Sequence, residues 1–106
     1  NFTTATNSNN VAVGYNTGVS VTTGTNNTLI GAFAGDALTA AFENTAVGES
    51  AQTTDTLGRR TVAIGSGALQ SQNFTTATNS YNTAVGYDAG TAVSTGVGNT
   101  FIGGLC

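Results

Sequence analysis

The chain has no proline, methionine, tryptophan, lysine or histidine. Without proline every residue keeps a backbone N–H to donate, which suits unbroken hydrogen-bonded ladders. Without histidine the common hydrolase triads and many zinc sites are excluded. Charge is scarce as well: Arg59 and Arg60 stand against five carboxylates, a formal net charge of −3. Nucleic-acid binding needs a basic footprint, so no nucleic-acid partner is expected. The single cysteine, Cys106, has no internal partner and is left as a packing residue, a chain end or an intermolecular link. No run approaches the ~18 apolar residues of a membrane span, so membrane insertion is not expected, and no signal peptide is visible. The first residue is Asn1, so the chain is expected to be processed or excised from something longer.

What is present is small. Thr (21), Gly (15), Asn (12) and Ser (7) make up about half the chain, beside 15 Ala. Such a balance would suggest disorder, but disorder pairs low hydrophobicity with high charge. Here 39% of residues are apolar and 7% charged, so material for a thin core is available.

The order lies in a repeat. Six glycines, Gly14, Gly31, Gly48, Gly65, Gly86 and Gly103, recur at intervals of 17, 17, 17, 21 and 17, each ending a short motif such as Asn44-Thr45-Ala46-Val47-Gly48. The long interval, between Gly65 and Gly86, carries four extra residues expected to bulge as a loop. A longer period sits above the first: residues 1–8 and 73–80 both read NFTTATNS, 72 positions apart. Residues 1–106 are therefore read as one repeat segment cut from a longer array.

A period of 17 is too short for helical-hairpin repeats or propeller blades, and Gly, Thr, Asn and Val disfavour helix. The residue before each glycine is Val13, Ile30, Val47, Ile64, Val85 or Ile102. The motif centre is Ala in four copies and Leu29 or Phe101 in the others. Both strand faces are thus apolar or small, as in a parallel strand packed on two sides. The motif glycine ends the strand. Small residues follow three positions on (Thr17, Ala34, Ala51, Ala68, Ala89, Cys106), and Gly24, Gly58 and Gly96 mark a second turn. Between the turns, 19–23 and 91–95 read as a second strand. Each unit is strand, turn, strand, turn: an all-β, parallel β-solenoid (β-roll) with coils of about 17 residues.

Stacked coils would lie ~4.8 Å apart. Asn10, Asn27, Asn44, Asn82 and Asn99 would then form a side-chain amide ladder, broken at Thr61, or simply begin turns. So thin a coil encloses little volume, and its strand has two apolar faces. One face is expected to line the interior and the other to meet further copies, as a trimer or an end-to-end filament.

The pattern N-[TSV]-A-[VI]-G-x-x-A-x resembles the head repeats of trimeric autotransporter adhesins, which are left-handed parallel β-rolls. Asn82–Gly90 (NTAVGYDAG) and Asn99–Gly103 (NTFIG) are similar to repeats in phage and viral fibre proteins and in large bacterial surface proteins. The likeness covers nearly the whole chain, although coils of 17 are longer than those of the adhesin heads. It implies a rigid, extended, often trimeric spacer or head at a virion or cell surface, one that presents or forms a receptor-binding surface.

Catalytic chemistry has little to build on. Asp36, Glu43, Glu49, Asp55 and Asp88 read as exposed and fall in unrelated registers, so no acid–base pair is placed. The GGxGxD calcium repeat is missing, and no general base serves the many hydroxyls, so neither metal, cofactor nor enzymatic activity is expected. Tyr15 and Tyr87 occupy equivalent positions on one exposed or interchain face. The extended loop with Asn73, Phe74 and Tyr81, like its copy at 1–9, is the expected contact site for a surface glycan or protein receptor. The reading is a structural module of an extracellular or virion fibre. Its alternative is an ice-binding solenoid using threonine columns (Thr28, Thr45, Thr83, Thr100; Thr22, Thr39, Thr56), interrupted by Val11, Val62 and Ser94.

Overall fold

The computed structural model describes residues 7–106. Most of the first NFTTATNS copy, Phe2 included, lies outside the described residues. Among the described residues there is no helix, and the chain winds as a parallel β-solenoid of about five turns. Six three-residue strands form one sheet in the order β1 (Val11–Val13), β2 (Thr28–Ile30), β3 (Thr45–Val47), β5 (Val62–Ile64), β7 (Thr83–Val85) and β8 (Thr100–Ile102). All neighbours are parallel and in strict register, Ala46 opposite Ala63 and Ala63 opposite Ala84. The 21-residue interval therefore leaves the main sheet undisturbed.

The expected second strand is absent from the regular coils: 19–20 are turn and 21–23 irregular or bent. The backbone explains why. The motif glycine, the residue two after it and the residue before the motif adopt positive φ throughout the stack, and so do Gly18, Gly35, Gln52, Leu69 and Gly90, four after the glycine. A chain that reverses this often cannot stay extended between the reversals. Twelve of these residues are not glycine, Phe33, Ser50 and Leu69 among them. Each forgoes about 1–2 kcal/mol relative to the right-handed region, and the stacked hydrogen bonds hold it there. A second strand pair does form, but only where the coil is longest: β4 (Gly58–Arg59) with β6 (Thr78–Asn79).

At two positions in three the strand faces outward. The motif centre points in, so Leu29, Ala46, Ala63 and Ala84 are fully buried, and Ala34, Ala51, Ala68 and Ala89 form a second buried column. Leu29, Leu38 and Leu69 fill the wider places, each contributing about 1.5–3 kcal/mol by burial. Backbone groups bond between coils. Thr28 N–H donates to Asn44 O (2.8 Å) on the next coil, and Gly31 N–H to Val13 O (2.8 Å) on the previous one.

Two expectations about the long coil are corrected. Asp55 is not exposed but completely buried, and Phe74 is only 6% exposed. Leu57 N–H still donates to Phe74 O, 17 positions on, whereas Gly58 pairs with Thr78, 20 positions on, so the insertion falls at the exposed turn 75–77, while Gln72, Phe74 and Ser80 turn inward. Asp55 survives burial because all its lone pairs are used. Oδ1 accepts the N–H groups of Gly58 (3.1 Å) and Phe74 (2.9 Å), and Oδ2 accepts Gln52 Nε2 (3.0 Å) and Gln72 Nε2 (2.6 Å).

Candidate functional site

The residues that alternate with the buried motif centre build the outer face of the sheet. Two columns result. The first runs Val11, Thr28, Thr45, Val62, Thr83, Thr100; the second runs Val13, Ile30, Val47, Ile64, Val85, Ile102. The second column lies at the surface along its length: Val13 is 57% exposed, Ile30 38%, Ile64 37% and Ile102 63%, with Val47 and Val85 half-buried between them. Single exposed apolar side chains are ordinary on a protein surface, but six apolar side chains in one in-register surface column are not. Just past each strand the next column begins, where Tyr15 and Tyr87 stand out from the surface and Tyr15 meets Phe33 edge to face, centroids 5.5 Å apart. In the same column Glu49 accepts from the hydroxyls of Ser50 (2.6 Å) and Ser66 (3.3 Å).

On the other flank the corner residues Glu43, Arg60 and Tyr81 stack on successive coils. Arg60 Nε donates to Glu43 Oε2 (2.8 Å) and Nη1 to the Tyr81 hydroxyl (3.4 Å). The hydrogen bond to Glu43, then that to Tyr81, holds the Arg60 guanidinium above its ordinary pKa. Arg59 lies 4.1 Å over the Phe42 ring. Sequence reasoning gave no hint of this cluster, because its members share no residue type.

The asparagines lie inside the stack, at the entry to each strand. Asn27 Oδ1 accepts Asn44 N–H (3.1 Å), and Asn27 Nδ2 donates to Ala41 O (2.9 Å). Asn44 treats Thr61 N–H (3.1 Å) and Gly58 O (2.8 Å) alike, and Asn10, Asn82 and Asn99 continue the row. The bonds run mainly from side chain to backbone. Among the described residues, the amide-to-amide contacts within the row are Asn27 to Asn10 (3.3 Å) and Asn99 to Asn82 (3.2 Å).

The motif glycines are fixed by the same stacking. At Gly31, Gly48 and Gly86 a Cβ would stand 2.5–2.7 Å from carbonyl atoms of the next glycine in the column; at Gly103 it would meet nothing within 4 Å.

Of the expected contact loop, Tyr81 is exposed (58%), Asn73 is half-buried and Phe74 is withdrawn into the core. Tyr81, Asn79 and the outer turn 75–77 remain on the surface there. Among the expected threonine columns, Thr39 Oγ1 and Thr56 Oγ1 turn back to carbonyls of the next coil, Thr56 O (3.2 Å) and Phe74 O (3.0 Å). A depression of about 440 Å³ lined by Gly90, Val93, Phe101, Leu105 and Cys106 is the open top of the last coil's core. Cys106 is exposed there. Among the described residues no three His, Cys, Asp or Glu side chains converge, and no helix is long and apolar enough to cross a membrane. Neither a family model, nor a curated protein, nor a solved structure matches the chain.

Proposed function

We propose that this chain is a structural module of an extracellular, cell-surface or virion fibre, in which copies associate through the outer Val/Ile face of the sheet. One observation carries the reading: a continuous apolar column, Val13 to Ile102, exposed or half-buried on the outer face of an in-register sheet. Contiguous apolar surface of this kind marks association sites, and covering it would add the burial that so narrow a core cannot supply alone. Three copies around one axis is the arrangement that the fibre resemblance implies. The role is non-enzymatic. Adhesion to a glycan or protein receptor, where it occurs, falls to Tyr81 with Arg60 and Glu43, the exposed aromatic–polar corner beside the long coil. Negative-stain microscopy of the purified protein tests the fibre reading: rods or filaments of constant width are expected. A field of compact single particles at every concentration would count against it.

A second reading rests on the same face. Thr28, Thr45, Thr83 and Thr100 stand in register beside the Val/Ile column, a row of hydroxyls of the kind an ice-binding surface uses, broken in the middle by Val62. Thermal hysteresis at millimolar protein separates the two readings, because a fibre interface gives none.

A further inference from the structure

The regular coils are nearly interchangeable. Asn27 and Asn44 make the same bonds, Gly31 and Gly48 the same contacts, and Ala46, Ala63 and Ala84 the same core. Sliding one coil past another therefore exchanges like for like, and nothing in the ladder specifies which coil follows which. Register is weakly defined wherever alternative pairings satisfy the same groups.

One place breaks the equivalence. Thr61 stands where the ladder has asparagine, so it offers no carbonyl oxygen to the next coil. The long coil supplies the missing groups. Asn82 N–H, which elsewhere would donate to the preceding asparagine, donates to Ser80 Oγ (3.2 Å), and Ser80 Oγ shares a hydrogen with Thr61 Oγ1 (2.6 Å). Gln72 spans the gap: Nε2 donates to Thr61 Oγ1 (3.1 Å) and Asp55 Oδ2 (2.6 Å), and Oε1 accepts Asn82 Nδ2 (2.8 Å). Asp55, Thr61, Gln72, Ser80 and Asn82 are all fully buried. Even Gly58 belongs to the set, since a Cβ there would overlap the Asp55 carboxylate.

We infer that this buried polar cluster is a register lock, which lets only the long coil follow the Asp55 coil and so fixes the phase of the whole stack. In a slipped stack Asp55 would meet a coil without Gln72 and lose two of its four donors inside the core, Gln72 Nε2 and the Phe74 N–H, keeping only those of Gln52 and Gly58 in its own coil. Setting register is the best-attested use of buried polar groups, which add little to stability as such. The lock also gives a reason for the 72-residue super-repeat: Phe74 and Ser80, both within the repeated NFTTATNS, face the lock and not the solvent.

Engineered disulfides in a Cys106→Ser background read the register directly. Arg60→Cys with Tyr81→Cys reports the native order, since these corner positions sit on adjacent coils ~4.8 Å apart. Glu43→Cys with Tyr81→Cys reports a skipped coil; natively they are two coils apart, ~9.6 Å, beyond disulfide reach. Each pair is refolded, oxidised and scored on the monomeric species, with the lock intact or replaced by Asp55→Leu, Thr61→Val, Gln72→Leu and Ser80→Ala. With the lock intact only the 60–81 bridge is expected. Without it, the 43–81 bridge should rise about tenfold or more, the factor given by a loss of ~1.4 kcal/mol in register preference. A folded lock-free chain that still forms only the 60–81 bridge overturns the inference. Where the fourfold variant does not fold, Gln72→Leu alone decides: more 43–81 bridge supports the lock, and an unchanged yield refutes it.

Discussion

Replacing Gly48 by alanine should undo much of the stack. The added Cβ would lie 2.5 Å from the carbonyl carbon of Gly65, 2.6 Å from its oxygen and 2.9 Å from Ser66 N. All are backbone atoms of the next coil, so none can rotate away. Gly48 also sits at φ +132°, which costs an L-residue about 1–3 kcal/mol. Relieving the overlap means prising two coils apart by most of an ångström, an overpacking penalty of about 1–3 kcal/mol. That movement strains the bonds from Gly48 N–H to Ile30 O and from Gly65 N–H to Val47 O, both 2.7 Å, each worth about 1 kcal/mol. The sum, about 4–8 kcal/mol if both bonds are lost, rivals the ~5–15 kcal/mol stability of an ordinary small domain. Gly103→Ala is the control: it has nearly the same φ, +124°, but nothing within 4 Å of the new methyl, so only the conformational cost remains. Urea unfolding followed by circular dichroism compares the two. If Gly48→Ala is no more destabilised than Gly103→Ala, the glycine column does not stack as described.

Four further outcomes follow from the same geometry. Asn44→Ala strands the Thr61 N–H and the Gly58 carbonyl in the interior and should cost about 2–4 kcal/mol, whereas half-buried Asn99→Ala should cost under ~1 kcal/mol by the same unfolding assay. Phe74→Ala empties the core of the long coil and should cost about 3–5 kcal/mol, while Tyr81→Phe on the surface should change nothing measurable. Ser50→Gly relaxes a residue held at φ 59° and should raise stability by up to ~1 kcal/mol. A cation with a raised folded pKa stabilises below its unfolded value and loses that effect only as pH climbs through the folded one. For Arg60 both values lie above any practical folding titration, so unfolding between neutral and mildly alkaline pH should show no Arg60 step.

Much of this architecture can be read from the residues, and the reason is physical. In-register stacking puts the same backbone problem at the same position of every coil, so one answer, such as glycine at Gly31, Gly48 and Gly65, recurs visibly. The strand positions and the inward asparagine row are legible for that reason. What escaped sequence reading is whatever the stack solves only once. Asp55 looks like any surface acid until Gln72 and the Phe74 N–H are brought to it by the long coil. The absent second strand was hidden because Phe33, Ser50, Gln52 and Leu69 carry no turn signal of their own. Their left-handed conformation is imposed by neighbouring coils and not by local preference. The orientation of the strand was equally open: alternation marks two faces, and nothing in the motif alone says that Ala46, Ala63 and Ala84, with Leu29, go in and Val/Ile out.

The outward Val/Ile column is where a single measurement bears most directly on function. Sedimentation of the wild-type chain and of Ile64→Asp, across a range of concentrations, should show oligomers for the first and monomers for the second. Ile64 is a surface residue, so the circular dichroism spectrum should stay the same. A wild-type chain that sediments as a monomer throughout, or an Ile64→Asp variant that associates as the wild type does, would contradict the proposed role of the outer face.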